Sequence, residues 1–422
     1  MTAVDDALAR IARSDLNAFT AVLHERATTN ARTAAGPLAG MPFAAKNLFD
    51  IRGLATRAGS LINRDRPPAK ADAPLIARLE AAGAVLVGAL NMGEYAYDFT
   101  GENVHDGNCR NPHDPSRMAG GSSSGAGAAV GGGLVPLALG SDTNGSIRVP
   151  ASLCGVFGLK PTYGRLTRAG TFPFVDSLDH VGPLVRTAAD LLRAYNAMQG
   201  PDPADPVCTT RPAEPVADTG IAGLRIAIAG GYFEDNAGPD AQDTLALVAT
   251  ALGATRRVEL PEAARARAAA YVITTVEGGQ LHLDRLRTRA ADFDPATRDR
   301  LIAGTMLPGA YYVRAQRFRR WFRDRVAALF EDVDAILAPA TPCSAPLIGQ
   351  ATITLNGREM PARASLGLLT QPISFIGLPV VAVPVVRPGL PVGVQVIAAP
   401  WREDVALRIA LDLERRGVSA SR

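Results

Sequence analysis

Three polar features that could carry acyl-transfer chemistry lie in apolar or glycine-rich stretches of this 422-residue chain. Lys46 follows Phe43-Ala-Ala, a serine triplet begins at Ser122 behind two glycines, and Ser146 ends a polar turn that contains glycine. A serine hydroxyl is a weak nucleophile at neutral pH and requires a base within hydrogen-bond reach. A lysine supplies that base only where burial and its neighbours lower its pKa enough to leave the amine neutral. We therefore expect Lys46 to be desolvated.

The turn that precedes Ser146 has the composition of an anion-stabilising turn. Thr143, Asn144 and Gly145 come directly before the serine. Backbone N–H groups in a glycine-containing turn can converge on one point and bind the oxyanion that forms when a hydroxyl attacks an amide carbonyl. The spacing therefore suits a serine nucleophile that lies beside its own oxyanion donors.

Each of these polar residues also has a structural interpretation. Ser146 could be a helix N-cap, since serine favours that position, and Lys46 could be an ordinary surface lysine in a salt bridge. Arg148 is better interpreted as structural, pairing with Asp142 to brace the turn.

Two further patterns suggest other chemistries. Gly121-Ser-Ser-Ser-Gly fits the nucleophile elbow of α/β-hydrolases around Ser123, which would require a later histidine such as His180 or His282. A five-residue pattern within a glycine-serine run is weak support for that mechanism. A metal site is suggested by three evenly spaced residues: His105, Cys109 and His113. Prolines at 112 and 115 break any helix there, so the even spacing loses its geometric meaning and we expect no metal site.

The elements around these residues alternate between helix and strand. Residues 8–16 carry apolar residues at helical spacing, and residues 73–83 resemble a helix that leads into a buried strand at 84–88. Further strands are predicted at 134–140, 224–229, 335–338, 380–383 and 392–397, and further helices at 241–252 and within 261–330. This order predicts α/β layering with a mostly internal sheet. A proline- and aspartate-rich stretch near 200–220 is predicted to be an exposed connection between two halves.

Composition and charge exclude several classes of function. Hydrophobic residues make up 47% and charged residues 20% of the chain, as in a globular protein with a sizeable core. The net charge is only +3, and the most basic stretch, 314–325, is interleaved with aromatic residues, so we expect an amphipathic helix and no nucleic-acid binding. The uncharged segment 118–141 is rich in glycine, serine and alanine, so we expect it to be buried in protein and not in a membrane.

The cysteines and the first residues of the chain favour a cytoplasmic location. Four scattered cysteines without C-x-x-C spacing suggest no disulfide framework and favour a reducing compartment. Asp5 and Asp6 stand where a signal peptide would carry positive charge.

Three long motifs resemble the amidase signature. They are Gly120-Gly-Ser-Ser-Ser-Gly, Gly140-Ser-Asp-Thr-Asn-Gly-Ser-Ile-Arg-Val-Pro and Cys154-Gly-Val-Phe-Gly-Leu-Lys-Pro-Thr. The resemblance extends from about residue 40 to the C-terminal part of the chain, and the spacing between Ser122 and Ser146 matches that of the family. The signature usually has two glycines before the nucleophile, and Asn144 replaces the first of them here. Asparagine tolerates left-handed backbone better than most residues, so we expect the turn to survive.

The resemblance implies both a mechanism and a fold. Ser146 would be the nucleophile, Ser122 a bridging serine preceded by a cis peptide bond, and Lys46 the base. The N–H groups of residues 143–146 would form the oxyanion hole. The implied fold is an α/β amidase-signature domain over residues 1–422, with a mixed central β-sheet covered by helices on both faces. The family's chemistry requires no metal or organic cofactor.

Within that family the chain looks like the branch of 1-carboxybiuret hydrolases. The segments 94–103 and 398–404 and the Asp-Thr-Asn-Gly-Ser variant carry this resemblance. It implies hydrolysis of a small carboxylated ureide with release of ammonia, as in cyanuric acid breakdown, and an oligomer that includes a small accessory subunit. The alternative is the A subunit of a tRNA-dependent glutamine amidotransferase. A catalytically silent scaffold is the third possibility, and the intact lysine and serines argue against it.

A carboxylated substrate calls for a cation and several hydrogen-bond donors. Arg314 and Arg317, close to Tyr311, are the candidates for binding the carboxylate, although a solvated helix face explains them equally well. Tyr97 and Asp98 are candidates for lining the pocket.

Overall fold

The computed structural model describes residues 2–421 and contains fifteen strands and fifteen α-helices in that range. Strands β1 to β15 are, in chain order, Phe19–Val22, Pro42–Lys46, Val85–Leu90, Arg110–Asn111, Asp114–Met118, Leu137–Asp142, Phe157–Lys160, His180–Val185, Ile226–Ala229, Arg256–Val258, Ala335–Pro339, Thr352–Leu355, Arg358–Pro361, Val380–Val383 and Val394–Ala398. Helices α1 to α15 are Ala3–Arg13, His24–Ala31, Pro74–Ala81, Ser124–Gly131, Arg148–Cys154, Ala188–Met198, Tyr232–Asp235, Pro239–Leu252, Ala263–Leu281, Leu283–Arg289, Pro295–Thr305, Gly309–Leu329, Ala362–Ser365, Gln371–Ser374 and Glu403–Arg415. Short 3-10 helices lie at Ile62–Asp65, Glu94–Ala96 and Ala290–Asp292.

Eleven of the strands form one mixed sheet in the order β1-β3-β2-β6-β8-β7-β14-β15-β11-β9-β10. Strand β2 is parallel to β3 and to β6, whereas β6 and β8 are antiparallel. The strands before residue 200 occupy one end of the sheet and those after residue 220 the other, and the two sets meet where β7 pairs with β14. The predicted mixed sheet is therefore confirmed.

The middle of the sheet is covered on both faces. Every residue of β2, β6 and β7 is buried. Successive side chains of a strand point to opposite faces, and along β2 Phe43 and Ala45 belong to one hydrophobic cluster whereas Ala44 belongs to another. Strands buried on both faces read as continuous apolar runs, which makes them recognisable in the sequence.

The glycine-serine stretch at 120–133 forms part of the core. Its residues 124–131 form α4, and every residue of that helix is buried. A Cβ on Gly125 would lie 2.4 Å from the carbonyl oxygen of Ala18, so glycine allows the helix to approach the neighbouring chain closely. The stretch is a tightly packed helix and not a flexible linker.

The remaining predicted elements are present with boundaries shifted by a few residues. The predicted strands correspond to β3, β6, β9, β11, β14 and β15, and the predicted helices to α1, α3, α8 and α9 to α12. Residues 200–220 contain neither helix nor strand, and most of their side chains are partly or fully exposed. Among the described residues, no helix combines the length and apolar character required to cross a membrane.

Candidate active site

Lys46 is the last residue of β2, a fully buried strand that lies between β3 and β6 in the sheet. Its side chain is fully buried, and Nζ lies 2.7 Å from Oγ of Ser122, 2.8 Å from Oγ of Ser141 and 3.1 Å from Oγ of Ser123. Burial lowers the pKa of Lys46 to about 7, although nearby carboxylates, Asp142 above all, act in the opposite direction. A substantial fraction of this amine is therefore neutral at physiological pH, as a general base requires.

Ser122 lies in a loop that is packed closely against residues 93–101. The peptide bond between Gly121 and Ser122 is cis. The Gly121 N–H donates to the Phe99 carbonyl at 2.9 Å, and the Gly93 N–H donates to the Ser122 carbonyl at 3.1 Å. A Cβ on Gly121 would lie 2.9 Å from Oδ2 of Asp98, so no larger residue fits without displacing this loop. These contacts fix the backbone that presents the Ser122 hydroxyl to Lys46.

The turn that carries Ser146 is braced by a buried ion pair between Asp142, at the end of β6, and Arg148, at the start of α5. Both side chains are fully buried, and Nε of Arg148 lies 2.9 Å from Oδ2 of Asp142. Burial raises the pKa of Asp142, but the Arg148 guanidinium outweighs it and holds that pKa well below its ordinary value. The same carboxylate accepts the Ile147 N–H at 3.2 Å, so the pair closes the turn as the sequence predicted.

Ser146 itself is 2% exposed and does not cap a helix, because the N-cap of α5 is Ile147. The Ser146 carbonyl accepts the N–H of Ser123 at 3.2 Å. This bond joins the nucleophile turn to the serine loop that contacts Lys46. The structure thus brings Lys46, Ser122 and Ser146 into one region.

The residues between Asp142 and Ser146 are held by their side chains and carbonyl groups. The Thr143 hydroxyl donates to Asp179 at 2.6 Å, and the Asn144 carbonyl accepts the Thr370 hydroxyl at 2.7 Å. Gly145 has φ of +142°, and a Cβ there would lie 2.1 Å from Oγ1 of Thr370, so only glycine fits. Within the described chain, the backbone N–H groups of residues 143–146 have no acceptor. Four backbone N–H groups without an acceptor therefore lie at and just before Ser146.

A cavity of about 260 Å³ opens over this turn. Thr143, Asn144 and Ser146 line it together with aromatic and cationic residues. The aromatic residues are Tyr97, Phe99, Phe174 and Tyr271, and the cations are Arg267, Arg300 and Arg363. A larger cavity of about 560 Å³ lies beside residues 47–64 and is lined by none of Lys46, Ser122 and Ser146. The smaller cavity is the one that Ser146 lines.

Tyr97 and Asp98, which the sequence predicted to line the pocket, both border this cavity. The Tyr97 ring packs on Phe174 with a centroid separation of 4.8 Å and lies 3.9 Å from Cζ of Arg300. Asp98 is buried, and its carboxylate accepts the Thr100 N–H at 2.8 Å and a bond from Arg363. Tyr97 thus forms an aromatic wall of the cavity, whereas Asp98 holds a loop and an arginine in place.

Arg314 and Arg317, the predicted carboxylate-binding residues, lie elsewhere, and so does Tyr311 beside them. All three are exposed side chains on α12 and are not among the residues that line the cavity. The buried side of this helix is formed by Ala315, Phe322 and Val326. The amphipathic helix is therefore present as predicted, with these arginines on its solvated side.

The cations that do line the cavity come from three different elements. Arg267 lies on α9, Arg300 on α11 and Arg363 on α13. The sequence has no local signature for them, since Arg267 and Arg300 each share a helix with one other arginine and Arg363 lies in a helix of four residues. Only their position on the cavity wall, which depends on tertiary packing, distinguishes them.

The alternative catalytic patterns are not assembled. Ser123 is buried against Lys46 and Ser141, and its hydroxyl donates to the Ser141 carbonyl at 3.0 Å. Nδ1 of His180 lies 2.7 Å from the Leu178 carbonyl. The ring of His282 packs 4.1 Å from that of Tyr95. Neither histidine has a hydrogen bond to Ser123, so the structure gives the nucleophile-elbow interpretation no catalytic base.

The three evenly spaced residues at 105–113 have separate partners. Nε2 of His105 lies 3.1 Å from Oε1 of Glu94, Nε2 of His113 lies 2.9 Å from the Cys154 carbonyl, and Cys109 is buried. Among the described residues, no three His, Cys, Asp or Glu side chains are grouped as metal ligands.

Comparison with known proteins gives matches over almost the whole chain. Residues 2–407 match the amidase family. The chain is 57% identical to AtzE, a 1-carboxybiuret hydrolase subunit of Pseudomonas sp. (strain ADP), over 98% of this chain and 94% of that protein. It is 38% identical to the A subunit of the glutamyl-tRNA(Gln) amidotransferase of Roseiflexus castenholzii, over 90% of this chain and 83% of that protein.

Solved structures agree with these sequence matches. One is described as an unexpected vestigial protein complex that reveals the evolutionary origins of an s-triazine catabolic enzyme. It is 56% identical, with a TM-score of 0.97 over 99% of this chain and 95% of its own. The crystal structure of an amidase is 32% identical, with a TM-score of 0.90 over 99% and 96% of the two chains. The chain therefore belongs to the amidase family.

Proposed function

We propose that this protein hydrolyses a small carboxylated ureide of the 1-carboxybiuret type and releases ammonia through an acyl-enzyme on Ser146. The observation that carries the proposal is the buried amine of Lys46, which is surrounded by hydroxyl groups beside the cavity that Ser146 lines. A lysine with neutral partners and a pKa of about 7 has little structural purpose, whereas a serine nucleophile requires such a base. The 57% identity to a 1-carboxybiuret hydrolase subunit supports the substrate class.

The hydrogen bonds around Lys46 support a single direction for proton transfer. A neutral amine has two N–H bonds and one lone pair. The Ser123 hydroxyl already donates to the Ser141 carbonyl, so it accepts one N–H of Lys46. When the Ser141 hydroxyl accepts the other N–H, the lone pair is left for the proton of Ser122. Ser122 then takes the proton of Ser146 as that oxygen attacks the amide carbon.

The rest of the cycle uses the same groups. The unpaired N–H groups of residues 143–146 bind the oxyanion of the tetrahedral intermediate. Its collapse breaks the carbon–nitrogen bond, and the leaving nitrogen takes a proton back through Ser122 to depart as ammonia. Water then attacks the acyl group on Ser146, gives its proton along the same path, and releases a carboxylate and the free serine.

The cations of the cavity support an acidic substrate. 1-Carboxybiuret carries a carboxylate at one end and a primary amide at the other. Arg300 has no carboxylate partner in the described chain: Nε donates to the Ala296 carbonyl at 2.7 Å, and Nη2 donates to the Tyr97 carbonyl. Its uncompensated charge, partly buried against the Tyr97 ring, favours binding of the substrate carboxylate.

The proposal extends to the partners and location of the protein. The related hydrolase is named as a subunit, and a similar solved structure is described as a complex, which supports an oligomer that includes a small accessory subunit. All four cysteines are unpaired, which supports a reducing, cytoplasmic location.

Ammonia release from a panel of amides tests the proposed function. The panel contains a carboxylated ureide, its uncharged amide analogue, malonamide and glutamine, each with the wild type, with Ser146→Ala, and with Ser116→Ala as a control at an exposed serine. We expect ammonia from the carboxylated ureide alone, unchanged in Ser116→Ala and lost in Ser146→Ala. Activity that persists in Ser146→Ala would contradict the nucleophile. Turnover of glutamine that requires tRNA and ATP would favour the amidotransferase alternative.

A further inference from the structure

Two side-chain carboxamides line the cavity, and their amide nitrogens are used differently. Nδ2 of Asn144 donates to the Thr274 hydroxyl at 2.9 Å. Gln371 is only 5% exposed, and within residues 2–421 the hydrogen bond of its side chain is made by Oε1. Its Nε2 has no acceptor in that part of the chain. The N–H groups of Gln371 are therefore available to a molecule that binds in the cavity.

Arg267 determines which end of the Gln371 carboxamide a bound molecule meets. Nε of Arg267 donates to Oε1 of Gln371 at 2.9 Å, and Nη2 of Arg267 donates to the Ala364 carbonyl at 3.1 Å. A guanidinium has N–H donors and no acceptor. The carboxamide oxygen must therefore face Arg267, and the nitrogen must face away from it. The carboxamide is thus held in one of its two orientations, with its donor end free.

Gln371 lies close to the turn that carries the nucleophile. Its neighbour Thr370 donates its hydroxyl to the Asn144 carbonyl at 2.7 Å, and the Thr370 carbonyl accepts Nη1 of Arg148 at 3.2 Å. Gln371 is the first residue of α14, and it lines the same cavity as Ser146. These contacts tie the start of α14 to the turn, so the Gln371 donor lies on the part of the cavity wall that adjoins it.

From this arrangement we infer that Gln371 is a specificity-determining residue that donates to a second carbonyl oxygen of the substrate. This second carbonyl group is separated by one atom from the amide carbon that Ser146 attacks, and Arg267 is the positioning residue for the contact. The inference rests on the proposed function and names the feature that the site selects, a ureide in which one nitrogen joins two carbonyl groups.

The selection follows from what an unmet donor costs. A methylene group in place of the second carbonyl group accepts no hydrogen bond. A substrate with that methylene group fills the cavity but leaves the Gln371 N–H groups without an acceptor. Sites built to hydrogen-bond a substrate group discriminate against an analogue that lacks the group, because their own polar atoms are then left unpaired.

Two stable acids of equal chain length isolate this contact. Malonurate has a carboxylate, a methylene group and then two carbonyl groups joined by one nitrogen. In 3-ureidopropanoate a second methylene group replaces the inner carbonyl group, and the rest of the chain is the same. Titration calorimetry of the Ser146→Ala variant would measure the Kd of each acid without turnover. We expect malonurate to bind about tenfold more tightly, as one hydrogen bond allows.

Substitutions in the Ser146→Ala background test whether Gln371 and Arg267 produce this preference. Gln371→Leu removes the donor, so the preference is expected to fall below about twofold while the Kd of 3-ureidopropanoate changes less than about threefold. Gln371→Glu keeps the shape and the contact with Arg267 but turns an oxygen towards the substrate carbonyl, so malonurate is expected to bind no better than 3-ureidopropanoate. Arg267→Met frees the carboxamide to turn and is expected to lower the preference, and Arg267→Lys, which is also a donor only, is expected to restore part of it.

The controls distinguish this inference from a general loss of folding and from failure of the proposed function. Gln242→Leu, at an exposed glutamine on α8, is expected to retain the whole preference. Equal Kd values for the two acids in Ser146→Ala, binding of neither acid, or a Gln371→Leu variant that weakens both equally would overturn the inference. Biuret has the paired carbonyl groups but no carboxylate. Biuret that bound as tightly as malonurate would instead contradict the acidic substrate of the proposed function.

Discussion

The candidate site has two groups of basic residues, Lys46 and the three arginines that line the cavity, and different parts of the chain supply them. Lys46 and the serines around it come from residues 46–146, are fully or almost fully buried, and contact one another directly. Arg267, Arg300 and Arg363 come from residues 267–363, are partly buried, and lie on helices of the other half. The first group lies beside the turn that carries Ser146, and the second lines the cavity.

The difference follows from what burial does to each side chain. An amine loses its proton when it is desolvated among neutral partners, so burial turns Lys46 into a base. A guanidinium keeps its charge in proteins, and partial exposure lowers the cost of holding that charge. In the proposed mechanism the buried amine thus serves proton transfer, and the permanently charged arginines of the cavity serve substrate binding. Single substitutions can separate these two roles.

The largest expected effect is that of Lys46→Met on activity. Methionine has a similar length and suits a buried site, but it removes the base, so kcat should fall by about 10³-fold or more. Ammonia release and circular dichroism at pH 7 measure activity and folding in the same sample. A folded Lys46→Met enzyme with wild-type kcat would show that the serines do not need the amine.

The same substitution has a pH-dependent effect on stability. The pKa of Lys46 is lowered in the folded state to about 7 from an ordinary value of 10.5, so between these values the unfolded chain binds more protons than the folded one. Wild-type stability therefore rises with pH across this window, and the Met variant lacks that rise. Urea unfolding at pH 7 and pH 10 should give a difference of up to a few kcal/mol between the two proteins. Identical pH dependence would mean that Lys46 remains charged.

Asp142→Asn is expected to have the largest effect on stability among the site variants. It leaves the fully buried Arg148 without its counter-charge, which costs about 3–5 kcal/mol. Because the pKa of Asp142 is lowered, the ion pair's stabilisation is complete at neutral pH and is lost only as the pH falls below the ordinary carboxyl range. Glu234→Gln breaks the exposed pair with Arg257 and is the control, with an expected cost below about 1 kcal/mol. Equal denaturation midpoints for the two variants would contradict the bracing role.

A smaller and gradual change is expected in kcat/KM as the pH is lowered. Since Lys46 acts as a base only when neutral, kcat/KM should fall about tenfold per pH unit below about pH 7. A variant of the cavity cations, such as Arg300→Gln, should shift the whole profile downwards without moving its midpoint by more than a few tenths of a unit. A wild-type profile that stays flat to pH 5 would exclude Lys46 as the base.

The residues that could be predicted from the sequence are those whose partners lie close to them in the chain. Ser146 and its turn are contiguous, and the Asp142–Arg148 pair spans six residues, so the motif itself contains their geometry. The apolar run before Lys46 indicated that its amine is desolvated, and the structure places it at the end of a buried strand. The resemblance of long, specific motifs to the amidase signature then assigned Lys46, Ser122 and Ser146 to one site, although Lys46 and Ser146 are 100 residues apart in the chain.

The arginines of the cavity could not be predicted in this way. Arg267 and Arg300 are fixed by carbonyl and amide oxygens of residues distant in sequence, such as Gln371 and Tyr97. Arg314 and Arg317 have the same residue type and a similar helical setting, and nothing local distinguishes them from the pair that lines the cavity. Helix packing alone decides which arginines line the cavity beside Ser146, and that packing cannot be predicted from the local sequence pattern.

The smallest effects are expected for Arg314 and Arg317, which the sequence analysis proposed as carboxylate-binding residues, and Arg300 gives the comparison. Arg300→Gln should raise KM for a carboxylated ureide by about tenfold, because it removes one charge-assisted hydrogen bond, with a smaller change in kcat. Arg314→Gln and Arg317→Gln, on the exposed side of α12, should change KM and kcat by less than about twofold. Initial rates over a range of substrate concentrations at 0.05 and 0.5 M salt would compare the three variants. If α12 supplied the carboxylate site, the two exposed variants would raise KM at low salt and Arg300→Gln would not. The opposite pattern would assign binding of the carboxylate to the cavity wall, where the cation is desolvated by an aromatic ring and salt screens it less.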